Sequence, residues 1–475
     1  MPAASPSSSL KPPGLLIAVT GGPGSGKTRL LGELAAARLA GGQRVEGALA
    51  VAGPRREPGG EAEEYWLRLV GSDQELSWAV HAATPFPAYR FEPEAERKLQ
   101  TWAERLRSEP PAPLLVLDEL NLPDPAGRGL LRVWPVLAAA APAIVVVAAP
   151  DDRVAAIEQT LGRAFDLRVA AGAPDALQQL QRACEDFGEW TRLGLFGGAA
   201  GGLELSLGAV LHAARIPLAG LVMASLQSGM MVFAGSGLRQ PARVVWVPFI
   251  SGGLKALSPG GTRVRPMLAI VFQGLLFGAS VQLLGWNVFA LALGGALIGA
   301  WAALQSFLLQ YLMLGGELVR AYDTVAAWFA DKWHLTTPAL PWLITGWALL
   351  HAVVVAGATL VAWRLKSPPV ALQQFLAAGK PAPRPEAAGW RRLREFGQWQ
   401  FWLPLLLVAT ILLLGGGSWA AVGWLTLRFV AVGCVLLAVV SLLRPARWAE
   451  QLRRRGWWGP AVAFAGALRR PEPEE

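Results

Sequence analysis

Leu15-Leu16-Ile17-Ala18-Val19-Thr20 runs directly into Gly21-Gly22-Pro23-Gly24-Ser25-Gly26-Lys27-Thr28. The first six residues are apolar and rich in strand formers, the signature of a short buried strand. The next eight satisfy G-x-x-x-x-G-K-[ST] at every fixed position, and a helical pattern follows from Thr28 to Leu39. Strand, glycine loop and helix in that order are the context in which this pattern cradles phosphate. Glycines let successive backbone N–H groups turn inward around phosphate oxygens, and the helix N-terminus adds its partial positive charge. Gly21, Gly22, Pro23, Gly24, Ser25, Gly26, Lys27 and Thr28 are therefore the expected nucleotide-binding residues. Lys27 is expected to reach the β- and γ-phosphates, and the Thr28 hydroxyl to ligate Mg²⁺.

A magnesium ion in such a site also needs a carboxylate from elsewhere in the chain. Pro113-Leu114-Leu115-Val116-Leu117-Asp118-Glu119 supplies it: an apolar strand whose acids fall at its C-terminal end, where open α/β sheets bind ligands. Asp118 is assigned to Mg²⁺, through water, and Glu119 to polarising the attacking water. Lys27, Asp118 and Glu119 form the expected catalytic set, and Thr28 and Asp118 the metal set. Two more strands are read at Val45–Ala52 and Ala143–Ala149. Strands alternating with helices predict an α/β domain with a doubly wound, mostly parallel sheet.

With these elements in place, residues 14–170 resemble the small P-loop nucleoside-triphosphatase family first described from thermophiles. The resemblance rests on the glycine loop, a short strand before an Arg-containing segment (Gly47 to Arg56), and an acidic box, Asp118-Glu119-Leu120-Asn121-Leu122-Pro123-Asp124. That family's box has Gly where Asn121 stands and Glu where Asp124 stands. The resemblance implies hydrolysis of ATP or GTP, with Mg²⁺, to the diphosphate and phosphate. No signature helix of the ABC type lies between the two nucleotide motifs. Arg55, Arg56, Arg128 and Arg153 read as solvated surface rather than as arginine fingers.

Charge separates the chain into two parts. Residues 1–190 hold 19 Lys and Arg against 24 Asp and Glu, or 43 charged side chains in 190, an ordinary density for a soluble domain. The remaining 285 residues hold 24 Lys and Arg and only 10 Asp and Glu. The overall +9 is thus carried by an apolar region with basic loops, which argues against a nucleic-acid surface. Two cysteines, Cys184 and Cys434, exclude a disulfide framework and offer no zinc spacing.

The expected layout is a flexible N-terminus at 1–13 and a cytosolic NTPase domain at 14–190. A six-span transmembrane domain at 193–364 follows, with spans near 194–213, 217–236, 242–258, 266–284, 288–314 and 342–363. A basic linker at 365–398, a transmembrane hairpin at 399–444 and a basic tail at 445–475 complete it. Uncharged runs near 20 residues match the hydrocarbon thickness of a bilayer. An even number of spans places the linker and tail beside the NTPase domain on the cytoplasmic face of the inner membrane, as the positive-inside rule expects. Trp342, Trp399, Trp402, Trp419, Trp457 and Trp458 read as interfacial anchors. Glu204, His212 and His351 are polar groups near membrane depth.

The first span carries Gly194, Gly198 and Gly202 at four-residue spacing, with Gly197 and Gly201 beside them, which predicts a close-packing helix face. Ser251, Gly252, Gly253 and Lys255 interrupt the third span and point to a solute cavity. Six short Gly/Ala-rich spans with such a face are similar to the substrate-binding S component of energy-coupling factor transporters. That likeness implies that the glycine face docks a separate transport subunit. The basic cadence of 427–470 is similar to part of a T component. The function read from the whole is a membrane-embedded NTPase coupled to, or regulating, small-solute transport, with nucleoside triphosphate, the lipid bilayer and transport subunits as partners. The alternatives are a nucleotide-binding scaffold without turnover and a membrane-anchored small-molecule kinase.

Overall fold

The computed structural model describes residues 14–53, 64–72, 74–81, 89–118, 130–213, 218–255, 264–333, 339–377, 399–442 and 445–468. The chain divides into two units, Met1–Gly188 and Glu189–Glu475.

The first unit is an α/β domain built on one sheet. Its strands are β1 (Leu15–Thr20), β2 (Val45–Ala52), β3 (Glu64–Val70), β4 (Gln74–His81), β5 (Tyr89–Phe91), β6 (Leu114–Leu117), β7 (Ile144–Ala149) and β8 (Leu167–Ala170). They lie in the order β5-β4-β3-β2-β6-β7-β1-β8. From β2 to β8 every pairing is parallel. β1, β6 and β7 are buried along their whole lengths apart from Thr20, as expected where helices cover both faces of a parallel sheet. The helices of this unit are α1 (Lys27–Ala40), α2 (Pro93–Ser108), α3 (Leu130–Ala139) and α4 (Val154–Leu161), with the first half of α5 (Ala176–Leu205). α2 shows why the pattern folds so: Ala95, Leu99, Trp102, Ala103 and Leu106 are buried on one stripe, acids sit in its first turn and arginines in its last.

The doubly wound reading holds for the five parallel strands. It misses β3, β4 and β5, which extend the sheet beyond β2 by antiparallel pairing. β3 and β4 form a hairpin turned at Gly71, whose φ of +91° suits glycine.

The second unit is helical. After the second half of α5 come α6 (Leu207–Ala213), α7 (Ala219–Gly235), α8 (Trp246–Lys255), α9 (Val264–Leu284), α10 (Val288–Leu314), α11 (Gly316–Trp333), α12 (Ala339–Leu365), α13 (Val370–Ala377), α14 (Trp399–Leu414), α15 (Trp419–Leu442), α16 (Pro445–Arg454) and α17 (Trp458–Leu468). Among the described residues, Pro266–Leu284, Val288–Leu314 and Ile344–Leu365 are long and apolar enough to cross a membrane. Against the six spans expected in 193–364, these three are the helices of that length and character among the described residues. The stretch 194–213 is not a helix of its own, because α5 begins at Ala176 and ends at Leu205. The stretch 242–258 is a 3₁₀ turn at Pro241–Val245 followed by the ten-residue α8. In the 399–444 stretch the described apolar runs are the shorter Trp402–Leu414 and Trp419–Val435.

α10 packs against α9 and α12 through its glycines. A Cβ on Gly294 would come 2.7 Å from the Phe277 ring, and one on Gly299 would come 2.2 Å from the His351 carbonyl oxygen. Backbone approach of this kind drives helix pairing where no hydrophobic effect separates helix from solvent. Polar side chains close the same interior. The Thr359 hydroxyl donates to Ser228 Oγ at 3.1 Å, and the Trp301 indole donates to the Ala269 carbonyl at 3.1 Å.

The glycine stripe of α5 is an internal surface. Gly194 and Gly198 face α17, with Cβ positions 2.5 Å from the Ala463 carbonyl oxygen and 3.3 Å from Ala467 Cα. Gly197 and Gly201 face Ile250 and Leu254 of α8. The segment 445–475, expected as a basic tail, therefore contains a helix buried from Gly459 to Phe464. Gly252 and Gly253 do not interrupt a helix: both are buried inside α8, against Val271 and Phe464.

Candidate functional site

Parallel register brings the chemistry to one edge of the sheet. Leu117 of β6 aligns with Val147 of β7, and Val147 aligns with Ala18 of β1. Asp118 therefore leaves its strand close to the level at which β1 gives way to the glycine loop, with one strand between them. The Asp118 backbone N–H donates to the Ala48 carbonyl at 2.9 Å, which fixes the residue between β2 and the loop edge. Its side chain is 2% exposed.

The loop rises from β1 and enters α1 through left-handed backbone. Gly24 has φ +74° and Gly26, the residue before α1, has φ +89°. A Cβ at either would meet no atom within 4 Å, so backbone conformation, not space, selects glycine there. The Ser25 N–H donates to the Gly22 carbonyl at 3.2 Å, and the Leu30 N–H to the Gly26 carbonyl at 2.9 Å. The loop is open to solvent at Gly22, Pro23 and Gly24. The Ser25 hydroxyl is shut off from solvent and has no hydrogen-bond partner among the described residues.

Lys27, the first residue of α1, folds back over this loop. Its ammonium donates to the Gly21 and Gly22 carbonyls, each at 2.8 Å. Next to it the Thr28 hydroxyl donates to Asp118 Oδ2 at 2.5 Å. The site thus joins an ammonium, two hydroxyls and a buried carboxylate at the N-terminus of one helix. Hard oxygen donors suit magnesium, which binds through one or two carboxylates plus phosphate oxygens and water. Among the described residues no group of three or more His, Cys, Asp and Glu could hold a metal, and a magnesium–nucleotide site of this composition needs none. Thr28 and Asp118 fit the ion, and the loop N–H groups with Lys27 fit phosphate.

Gly21 through Thr28 and Asp118 are all within the described residues. Glu119, Asn121 and Asp124, with Arg55, Arg56 and Arg128, lie outside them. Arg153 is half exposed and pairs with Asp152. Of the polar groups expected near membrane depth, Glu204 pairs with Lys255 at 3.7 Å. His351 is buried with Nδ1 3.0 Å from the Trp347 carbonyl. The side chain of His212 lies outside the described residues.

Sequence reasoning missed Glu46, which is buried on β2. Arg105 reaches its carboxylate at 3.0 Å and Arg44 at 3.2 Å. This cluster sits near the start of β2, at the opposite edge of the sheet from Asp118, and ties α2 to the strand. No family model, no curated protein and no solved structure matches the chain.

Proposed function

We propose that the chain is a membrane-embedded P-loop nucleoside-triphosphatase whose first unit binds ATP or GTP with Mg²⁺ and hydrolyses it. The observation that carries this reading is the hydrogen bond from Thr28 to Asp118, which joins the two metal-ligating groups read from separate motifs. Lys27 supports it, being held over the loop by the Gly21 and Gly22 carbonyls that a phosphate would replace as its partner. When bound, Mg²⁺ neutralises charge on the β- and γ-phosphates. The chain's own residues position the rest: the loop N–H groups orient the phosphates, Lys27 offsets the charge that develops, and Glu119 polarises the attacking water. Phosphoryl transfer asks for little more than such positioning and charge stabilisation.

The second unit anchors this activity in the inner membrane through α9, α10 and α12. The excess of Lys and Arg in 365–398 and 445–475 supports a cytoplasmic placement of these segments and of the NTPase unit. In this reading hydrolysis serves or regulates small-solute transport. Transport partners would meet surfaces other than the α5 glycine stripe, which α8 and α17 occupy.

The test is the pair Lys27→Ala and Glu119→Gln in the full-length protein. Lys27→Ala should weaken binding of a fluorescent nucleotide tenfold or more. Glu119→Gln should bind within threefold of the native protein and release phosphate at least a hundredfold more slowly. A Glu119→Gln protein that hydrolyses at the native rate removes Glu119 from the mechanism. Nucleotide binding by the native protein with no turnover at all would favour the scaffold reading.

A further inference from the structure

A second polar site lies in the helical unit, where α7 and α12 end and α9 turns into α10. A cavity of about 270 Å³ opens there. Phe233 and Ala362 form an apolar floor, Trp286 a wall, and Ser236, Arg364 and Lys366 a polar rim. The wall is fixed: the Trp286 ring lies so close to Gly235 that a Cβ there would come 2.2 Å from it.

Two features of the rim call for a ligand. Arg364 and Lys366 are exposed, and neither has an ion-pair partner among the described residues. Lys366 also adopts φ +56°, the left-handed position after a helix that glycine usually fills and that other L residues enter at a cost. The last carbonyls of α7 already have a cation: Arg192 donates to the Phe233 carbonyl at 2.6 Å. The cavity's own two cations are additional to it.

The surroundings identify the ligand's other half. Leu283 and Leu284 of α9, and Val361 and Leu365 of α12, within three positions of lining residues in the chain, are large apolar side chains left exposed. α9 and α12 are two of the three helices long and apolar enough to cross a membrane. A cationic rim over an apolar floor, continuous with a lipid-facing surface and framed by indoles, is the pattern of an interfacial headgroup site. A free phosphate would use the rim and leave the floor unfilled.

We infer that this cavity binds the phosphate headgroup of an anionic phospholipid, with Arg364 and Lys366 as its counter-charges and Trp286 against its glycerol and upper acyl region. The inference rests on α9 and α12 lying in a bilayer.

The experiment uses the full-length protein in mild detergent, with dioleoyl-phosphatidylglycerol, dioleoyl-phosphatidylcholine and glycerol phosphate as separate probes. Lipid retention is read by native mass spectrometry and affinity by thermal shift. Phosphatidylglycerol should bind at least tenfold more tightly than phosphatidylcholine, and glycerol phosphate should neither bind measurably nor displace it. The double variant R364Q/K366Q should lose tenfold or more in phosphatidylglycerol affinity. R364K/K366R, which keeps both charges, should stay within threefold, as should Arg320→Gln, which removes an exposed cation on α11. Equal affinity for the two lipids, undiminished binding by R364Q/K366Q, or equivalent binding of glycerol phosphate would overturn the proposal. Alkaline carbonate washing of membranes separates the two failures: release of the protein overturns the membrane reading itself, whereas a retained protein without headgroup preference overturns only the lipid site.

Discussion

The hydroxyl of Thr28 lies 2.5 Å from a carboxylate oxygen of Asp118, although the two residues are 90 positions apart in the chain. The contact spans β7, which lies between the strand that delivers each group. A hydroxyl–carboxylate hydrogen bond of this kind holds the first turn of α1 against the sheet edge. Thr28 directly, and Asp118 through water, would hold a magnesium ion there.

Thr28→Val keeps the shape of the side chain and removes its hydroxyl. The expected result is a loss of the magnesium-dependent part of nucleotide affinity, tenfold or more, with little change in the affinity measured in a chelator. Titration with a fluorescent nucleotide, with and without Mg²⁺, reads both parts. A tenfold loss corresponds to about 1.4 kcal/mol, near the top of the range for an ordinary hydrogen bond. An equal loss in both conditions would mean that Thr28 holds the loop rather than the metal.

Gly299 is a point of close backbone approach between α10 and α12. Gly299→Val forces atoms into the His351 carbonyl, where even a Cβ would stand at 2.2 Å. Overpacking a tight contact costs about 1–3 kcal/mol or more, so the helical unit should lose several degrees of thermal stability in detergent. Gly357→Ala on α12, where a Cβ meets nothing within 4 Å, should be neutral. Nucleotide affinity should not change in either variant. Unaltered stability of Gly299→Val would contradict the close crossing of these helices.

Cys184 reports on the α/β unit. It is buried on the first half of α5, and burial pushes its thiol pKa up, against a smaller lowering effect from Arg38. The thiolate is the reactive species, so a raised pKa and poor access both slow alkylation. In a Cys434→Ser background, maleimide should leave the native protein unlabelled near pH 8 and label it once guanidinium unfolds the unit. Rapid labelling of the native protein would show that Cys184 is not buried in the α/β unit.

How much of this was legible beforehand follows from the range of each signal. The glycine loop is a local pattern, so Gly21 to Thr28 could be read outright, and the acids after β6 marked a sheet edge. The meeting of Thr28 with Asp118 depends on strand order, which no local pattern carries. The β3–β4 hairpin was readable, since Tyr65 to Val70 and Glu75 to Val80 are strand-rich runs either side of Gly71. An alternation of strands and helices implies parallel neighbours and says nothing of a hairpin added beyond β2.

The helical unit was harder for a physical reason. Hydropathy reports that a helix is apolar, and not whether its apolar face meets lipid or protein. Gly194 and Gly198 therefore announced close packing, but not that the partner is α17 of the same chain. The Gly294-Gly295 and Gly299 pattern on α10 carried the same small-residue signal and marks the tighter crossing. Glu46 gave no signal, because a lone acid on a strand is ordinarily solvated, and its partners Arg44 and Arg105 come together only when α2 docks.

The most direct test of the central claim is phosphate release by the full-length protein in lipid nanodiscs, comparing the native chain with Asp118→Asn under Mg²⁺–ATP and Mg²⁺–GTP. Asn keeps the side chain's size and removes the charge that would hold the metal. The account predicts magnesium-dependent release by the native protein with at least one of the two nucleotides, and a loss of a hundredfold or more in Asp118→Asn. Release that persists at the native rate in Asp118→Asn would contradict it.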